Sequence, residues 1–135
     1  MSSGSPAVTD FAMRVVRRRR GWLRKAVLTE ETATLDDRDT IAGWIRGMHE
    51  AKSQMVTVQR PWGSIFVHTS GRPAAGVLAS VGTRQRYVGH ALGMPMPDGG
   101  DALTPAEVER IVLDVLTADS LPEWPGWHEM ENPHR

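Results

Sequence analysis

The sequence predicts a single α+β domain in which two helices pack on one face of an antiparallel β-sheet meander. Two segments, at 34–52 and 104–116, carry apolar residues at the 3.6-residue spacing of a helix. Short strand-like segments lie between them, separated by turns rich in Gly and Pro. The chain has 135 residues and no cysteine, which is enough length for one hydrophobic core without disulfides. We expect this domain to span 11–130, with a disordered tail at 1–10 and a C-terminal tail at 131–135.

The first segment of the domain, "FAMRVVRRRRGWLRKAVL", predicts a β-hairpin. Gly21 lies between two candidate strands, roughly 12–18 and 22–28, and glycine supplies a turn at low steric cost. A short basic helix is the alternative for this segment.

The first helix is predicted by an apolar face that repeats with a period of 3.6 residues. The residues of that face are Ile41, Trp44, Ile45 and Met48. Acids are favoured in the first turn of a helix by the helix dipole. Three of them occupy the predicted first turn: Asp36, Asp37 and Asp39.

An antiparallel meander is predicted by the four strand segments that follow. They are "QMVTVQR", "SIFVHT", "AAGVLASV" and "TRQRYVGHAL", with turns at "PWG", at 70–73 and at Gly82. Four small residues in the third segment indicate that a helix packs closely over it: Ala74, Ala75, Gly76 and Ala79. The next segment, "GMPMPDGGD", predicts a loop because it is rich in Gly and Pro.

The second helix has a start signal in the sequence. Thr104 is the expected N-cap, Pro105 takes the first helical position, and Glu107 completes a capping box. Apolar residues follow at helical spacing: Val108, Ile111, Val112, Val115 and Leu116. We expect Pro122 to end this helix, because proline cannot continue one.

The last segment, "EWPGWHE", predicts a final edge strand or a docked tail, since it is short and contains proline. It holds Trp124 and Trp127, two of the five tryptophans of the chain. Each indole either anchors the C-terminus by burying apolar area or is presented to a partner.

Charge is spread unevenly along a chain whose formal net charge is zero. Residues 14–25 hold seven basic residues and no acid, whereas 98–135 hold nine acids and two basic residues. One interpretation is that the two ends lie near each other and cancel, or that both face water. The other is that one end meets a charged partner.

The sequence contains no motif for catalysis, cofactor binding or metal binding. The glycines of "GMPMPDGGD" lack the lysine and the strand–helix setting of a phosphate loop. The histidines are scattered and form no His-x-x-x-His pair: His49, His68, His90, His128 and His134. We therefore predict a protein that is not an enzyme and needs no cofactor. The alternative is a small enzyme whose active-site residues are scattered along the sequence.

Hydropathy predicts that the protein does not cross a membrane, because no run of 18 apolar residues exists. No apolar stretch follows the arginines of "MRVVRRRRGW", so neither a secretory nor a twin-arginine signal is predicted. We expect the protein to act in the cytoplasm.

The C-terminal third carries a pattern of elements seen in one known family. An acidic helix ends in a small threonine-containing turn, followed by proline and a short strand that finishes in tryptophan. The positions that carry it are Leu116, Thr117, Pro122 and Trp127. This resembles the first-numbered immunity protein family of bacterial polymorphic toxin systems. The order of elements is similar from about 12 to 130, with the acidic helix start at 34–39 and the "RYVG" strand in corresponding places.

The resemblance implies stoichiometric neutralisation of a cognate toxin domain, often a nuclease or deaminase that acts on nucleic acid. The inhibitor would block the toxin's active site and would need no catalytic residue. An acidic surface would complement the basic substrate cleft of such a toxin. The candidate contact residues are Trp62, Asp98, Asp101, Glu123, Trp124 and Glu129.

Two further functions remain open. The arginine run would bind phosphates of nucleic acid by charge and stacking, as an accessory protein. The residues of that site are Arg17, Arg18, Arg19, Arg20, Trp22 and Arg24. The other is the function of a secretion adaptor, which also binds proteins without catalysing a reaction.

Overall fold

The structure, a computed structural model, describes residues 10–20, 25–50, 53–91 and 102–130. Within these residues the elements are β1 (Phe11–Arg20), β2 (Lys25–Ala33), α1 (Arg38–Arg46), β3 (Ser53–Arg60), β4 (Gly63–Thr69), β5 (Gly76–Val81), β6 (Arg84–Gly89), α2 (Pro105–Val115) and β7 (His128–Glu129). The strands form one sheet in the order β2-β1-β3-β4-β5-β6-β7, and every neighbouring pair is antiparallel. The predicted α+β class with an antiparallel sheet and two helices is confirmed.

The chain enters the sheet as a hairpin and then crosses over. β1 and β2 pair from Ala12–Ala33 to Arg20–Lys25, and α1 then leads to β3 on the other side of β1. β3 to β6 form the meander, and α2 lies between β6 and β7. The predicted hairpin is confirmed with longer strands, and the alternative of a basic helix is wrong. The predicted turn at Gly21 lies outside the described residues.

The register divides the sheet into two faces, because residues directly opposite each other on antiparallel strands share a face. On the first face, Ala12, Val58, Ile65 and Ala79 are consecutive partners from β1 to β5. The strand residues of the core all belong to this face: Ala12, Val56, Val58, Ile65, Val67, Val77, Ala79 and Val88. The second face, on which Met13, Phe66 and Leu78 lie, contributes no residue to that core cluster.

The helices supply the other half of the core with the residues that their spacing predicts. These are Ile41, Trp44, Ile45, Met48, Val108, Ile111, Val112, Val115 and Leu116, and all are buried. Burying one large aliphatic side chain fully contributes roughly 1.5–3 kcal/mol. The apolar faces of the two helices therefore contribute a large share of the hydrophobic stabilisation.

α1 is shorter than predicted at both ends. Asp36 lies in the turn before it and accepts a hydrogen bond from the Thr34 hydroxyl, and Asp37 is the N-cap with non-helical torsion angles. Only Asp39 stands in the first turn. The helix stops at Arg46 because glycine follows, and a 3₁₀ turn at Met48–Glu50 still buries Met48.

The start of α2 forms as predicted. The Glu107 backbone N–H donates to the Thr104 hydroxyl at 3.2 Å, and the Thr104 N–H donates to the Glu107 carboxylate at 2.9 Å. The bond from the Thr104 backbone, followed by the one from its side chain, lowers the pKa of Glu107.

The end of α2 differs from the prediction, because the helix stops at Val115, well before Pro122. Arg60, at the end of β3, donates to the Val115 carbonyl at 2.6 Å and to the Ala118 carbonyl at 2.8 Å. The side chain of Trp62 donates to the same Ala118 carbonyl at 3.0 Å. Two distant side chains therefore satisfy the carbonyls with which the helix ends.

The small residues of the third strand segment serve two purposes. Ala74 and Ala79 are buried in the core cluster, as close packing requires. At Gly76, however, an added Cβ would meet backbone atoms of His90 and Ala91 at 2.5 and 2.4 Å. The close neighbour at Gly76 is therefore the chain after β6 and not a helix.

Candidate functional site

Trp124 is presented at the surface by a β-turn. The Gly126 N–H donates to the Glu123 carbonyl at 3.2 Å, which places Trp124 at the corner of the turn. Its side chain is one of two exposed large hydrophobic ones among the described residues, with 47% of its surface accessible. An exposed indole of this kind is a typical anchor of a protein interface.

Two residues of α2 hold the Trp124 ring in place. Its Nε1–H donates to Asp114 Oδ2 at 2.7 Å. The Arg110 guanidinium lies 4.5 Å from the ring centroid, within the range of a cation–π contact. The exposed ring is thus fixed before any partner arrives, which lowers the entropy cost of binding.

Trp127 has the opposite role, although it lies only three residues further on. It is half-buried and packed against the core cluster, and its Nε1–H donates to the Pro122 carbonyl at 2.6 Å. β7 follows at the sheet edge as a strand of two residues. Trp127 therefore anchors the C-terminal segment, whereas Trp124 is presented.

The candidate acids of the C-terminal segment are paired with arginines of β6. Arg86 donates to both carboxylate oxygens of Glu123, at 3.0 and 3.2 Å. Arg84 forms an ion pair with Glu129, and this hydrogen bond raises the pKa of Arg84. The side chain of Glu123 nevertheless remains 69% exposed. The predicted acidic surface is therefore partly neutralised within the chain.

The remaining predicted contact residues are less favourably placed. Trp62 is partly buried and packs against the core cluster, and its Nε1–H donates to the Ala118 carbonyl just after α2. Asp98 and Asp101 lie outside the described residues. We define the Trp124 patch as the residues that the structure brings together here: Arg86, Arg110, Asp114, Glu123 and Trp124.

The basic hairpin and the short C-terminal strand lie at opposite edges of the sheet. β2 and β7 are the two edges of the seven-stranded sheet, and strands about 4.8 Å apart separate these edges by about 29 Å. In the described part of the chain, the acids near the C-terminus pair instead with Arg46, Arg84 and Arg86. Glu129 on β7 is therefore too far from the arginine run to neutralise it, and cancellation by the other acids stays a prediction.

The arginine run lies in the hairpin at the β2 edge. Pairing of β1 with β3 extends to Arg17–Ser53 within the described residues, whereas its pairing with β2 continues to Arg20–Lys25. Arg17 is exposed. Arg18, Arg19 and Arg20 occupy consecutive strand positions, so their backbone directions alternate between the faces. Trp22 and Arg24 lie outside the described residues.

Sequence reasoning missed a row of apolar residues on the second face. Met13, Thr57, Phe66, Leu78 and Tyr87 are consecutive register partners from β1 to β6. Met13, Phe66 and Leu78 are half-buried. The available signal was the consecutive apolar residues of "IFV" and "VL", because a strand that is apolar at successive positions is apolar on both faces.

Two adjoining cavities lie near one end of β4. The smaller, of about 230 Å³, is lined by Met55, Phe66, His68, Gly76, Leu78 and Ala91. The larger, of about 560 Å³, is lined by residues that include His68, Arg72, His90 and Pro105. Among the residues that the structure describes, no three His, Cys, Asp or Glu side chains are grouped so as to hold a metal ion. In the same ranges, neither helix has the length and apolar composition needed to cross a membrane.

No protein-family model matches the chain, and searches of curated proteins and of solved structures found no match either.

Proposed function

We propose that this protein is an immunity protein, which binds a cognate bacterial toxin domain and neutralises it by covering its active site. The observation that carries the proposal is the exposed Trp124 ring, held rigid by Asp114 and Arg110. Rigid aromatic residues with a polar surround are the usual centres of tight interfaces. The protein acts by binding in the cytoplasm, without catalysis or a cofactor of its own.

Two carboxylates of the Trp124 patch would face a toxin that acts on nucleic acid. Such an enzyme presents a positive cleft to its substrate, and carboxylates complement that cleft. Asp114 and Glu123 supply carboxylates beside the ring, and most of the Glu123 side chain is open to solvent. Arg86 holds the Glu123 carboxylate, and the Trp124 Nε1–H holds that of Asp114. Contacts by Trp62, Asp98, Asp101 and Glu129 remain part of the proposal.

We also infer that both helices cover the first face of the sheet. Their apolar residues join one core cluster with strand residues of that face alone. The helices also bond to each other, since Arg46 donates to both carboxylate oxygens of Glu109 at 2.7 and 2.9 Å. In this arrangement the Trp124 patch lies on the helical layer, away from the second face.

The test compares substitutions at the two exposed large hydrophobic residues. Trp124→Ala removes the proposed anchor, and Leu28→Ala is its matched control on β2, near the opposite edge of the sheet. Tagged protein is incubated with host lysate in the presence of nuclease and washed across a salt series. We expect the wild type and Leu28→Ala to retain a protein with a toxin domain, and Trp124→Ala to lose it.

The captured partner then gives the functional readout. Adding wild-type protein to the purified toxin domain should abolish its activity at a one-to-one ratio, and Trp124→Ala should require at least tenfold more protein. Equal inhibition by the two proteins would show that Trp124 is not part of the interface. The absence of any protein partner at moderate salt would contradict the immunity function itself.

Nucleic-acid binding by the hairpin is the second candidate function. The observation that favours it is that β1 and β2 stay paired to Arg20–Lys25, which carries the arginine run along a two-stranded ribbon. Neutralising one phosphate fewer should reduce the slope of log affinity against log salt concentration by about 0.9. Arg17→Gln should therefore weaken and flatten salt-dependent binding to duplex DNA. Affinity that does not change with salt would exclude this function.

A further inference from the structure

We propose that two copies of this chain associate through the second face of the sheet, each packing its apolar row against that of the other. This inference is separate from the toxin-binding function, because that function is assigned to the helical layer. It accounts for an apolar surface that the core of a single chain does not use.

The chemistry of the row favours an apolar partner. It runs across the whole sheet from β2 to β7 through register partners: Thr32, Met13, Thr57, Phe66, Leu78, Tyr87 and His128. None of these residues is an acid, lysine or arginine. Val15 and Met55, which are register partners, extend the apolar surface beside this row. The row offers no carboxylate to the basic cleft of a toxin that acts on nucleic acid. A second copy of the chain, in contrast, presents the same apolar side chains to it.

Within the described residues, the apolar side chains of this face lie outside the core cluster. Met13, Val15, Met55, Phe66 and Leu78 belong neither to the core cluster nor to the partly buried residues packed against it. On the same face, Leu28 is 67% exposed and is the most exposed large hydrophobic residue of the described ranges. The half-buried side chains each leave part of their apolar surface open to solvent, and apolar surface that is continuous across a sheet marks an interaction site in soluble proteins.

The area of the face is sufficient for a dimer. Seven strands about 4.8 Å apart extend about 29 Å across the sheet, and three rows of side chains extend about 20 Å along the strands. Each copy would therefore bury at most about 600 Å², or about 1,200 Å² for the pair, which is at the lower bound for a specific interface.

The symmetry of the arrangement also fits. A two-fold axis places the same patch on both copies, so an apolar row meets an apolar row. β4 is the middle strand of the seven, which puts Phe66 near the axis. Face-to-face sheets pack about 10 Å apart with interdigitating side chains. The charged residues Arg17 and Glu30 lie near the β2 edge, where they would remain at the rim.

The first experiment uses the unmodified protein at a range of concentrations. The average mass from sedimentation should rise from near that of one chain at about 1 μM toward that of two chains at about 100 μM, as a dissociation constant of about 10 μM requires. Methionine oxidation by hydrogen peroxide reports the face directly. Met13 and Met55 should oxidise more slowly at the higher concentration. Met48 is fully buried in the core and should stay unoxidised at both.

The second experiment uses charge on the second face. Leu78→Lys should keep the chain monomeric at every concentration, and Leu28→Lys, at the exposed edge, should weaken the dimer without affecting folding. Thr83→Lys, in the exposed turn between β5 and β6, is the control and should leave the dimer intact. A wild-type chain that stays monomeric at about 100 μM would overturn the proposal. So would a dimer in which Met55 is oxidised as fast as in the monomer.

Discussion

At the scale of single residues, Gly89 is where three segments of the chain meet. It ends β6 with a φ of +69°, a conformation that favours glycine. An added Cβ would lie 2.5 Å from the Ala75 carbonyl oxygen and 2.6 Å from the Leu103 side chain. The same carbonyl accepts hydrogen bonds from His90 and Leu103, both at 2.9 Å. Gly89 thus joins the end of the meander to the approach to α2.

Replacing Gly89 by alanine should therefore cost more than its backbone conformation alone. Gly82 has a similar φ of +60° with no atom within 4 Å of an added Cβ, so it separates the two effects. We expect Gly82→Ala to lower the free energy of unfolding by about 1 kcal/mol. Gly89→Ala should lower it by about 3 kcal/mol, because the steric clashes add to the strain. Urea denaturation measures both free energies. If the two substitutions lower them equally, the atoms around Gly89 move apart without a measurable cost.

The tryptophans show what a single residue leaves undetermined. Trp124 and Trp127 have the same side chain and lie only three residues apart, and sequence reasoning left both roles open for each. Their different exposure comes from the turn at Glu123–Gly126 and from Asp114 on α2, which accepts the Trp124 hydrogen bond. Such a tertiary contact has no local signal.

At the scale of elements, the two ends of α2 differ in how far the sequence could predict them. The start depends on Thr104, Pro105 and Glu107, which are neighbours in the sequence, and the predicted capping box is confirmed. The end depends on Arg60, which lies 55 residues before the carbonyl of Val115 that it satisfies. Local patterns predict local hydrogen bonds, so only the first end could be placed correctly.

Removing the Arg60 side chain should destabilise the protein more than removing an exposed arginine. The Arg60 side chain is 13% exposed, and its guanidinium donates to two carbonyls at the end of α2 and pairs with Asp10 at 2.8 Å. Arg60→Met keeps much of the stem but loses these hydrogen bonds, and should cost about 2–3 kcal/mol in unfolding free energy. Arg72→Met, at an exposed position, is the control and should cost less than about 0.5 kcal/mol. Equal effects would mean that solvent replaces Arg60 at the helix end.

The capping box should make part of the stability depend on pH. The pKa of Glu107 is lower in the folded protein than its ordinary value of about 4.3, because the ionised form accepts the Thr104 N–H bond. Its contribution is therefore complete above that ordinary value and is lost as pH falls through the lowered folded pKa.

Thr104→Ala should lower the unfolding free energy by about 1 kcal/mol near neutral pH, through loss of the cap. Glu107→Gln keeps a side chain that can accept the hydrogen bond but does not ionise in this range. It should remove the acid-dependent part of the stability. Denaturation curves at about pH 7 and about pH 3 measure it. If the difference between wild type and Glu107→Gln is the same at both pH values, the carboxylate does not contribute in this way.

At the scale of the whole molecule, the crossover after β2 decides where the candidate surfaces lie. It puts β3 on the far side of β1 and leaves the hairpin at the sheet edge opposite β7. The sequence predicted the hairpin and the meander but not this strand order, so it could not show that Arg17 and Glu123 lie apart. The apolar surface of the second face was not predicted for a related reason, since Phe66 and Leu78 form a surface only once their strands are paired.

The separation of the two edges predicts that binding through the Trp124 patch is independent of the hairpin. β1, which carries Arg17, and β6 are four strand spacings apart, about 19 Å, which exceeds the Debye length of about 8 Å at physiological salt. Arg17→Glu should therefore leave the dissociation constant for the toxin domain nearly unchanged, whereas Trp124→Ala weakens it at least tenfold. In the double variant, the binding free energies should add within about 0.5 kcal/mol, because distant sites do not couple. Titration calorimetry on the four proteins measures this, and a large loss with Arg17→Glu alone would move the interface to the hairpin.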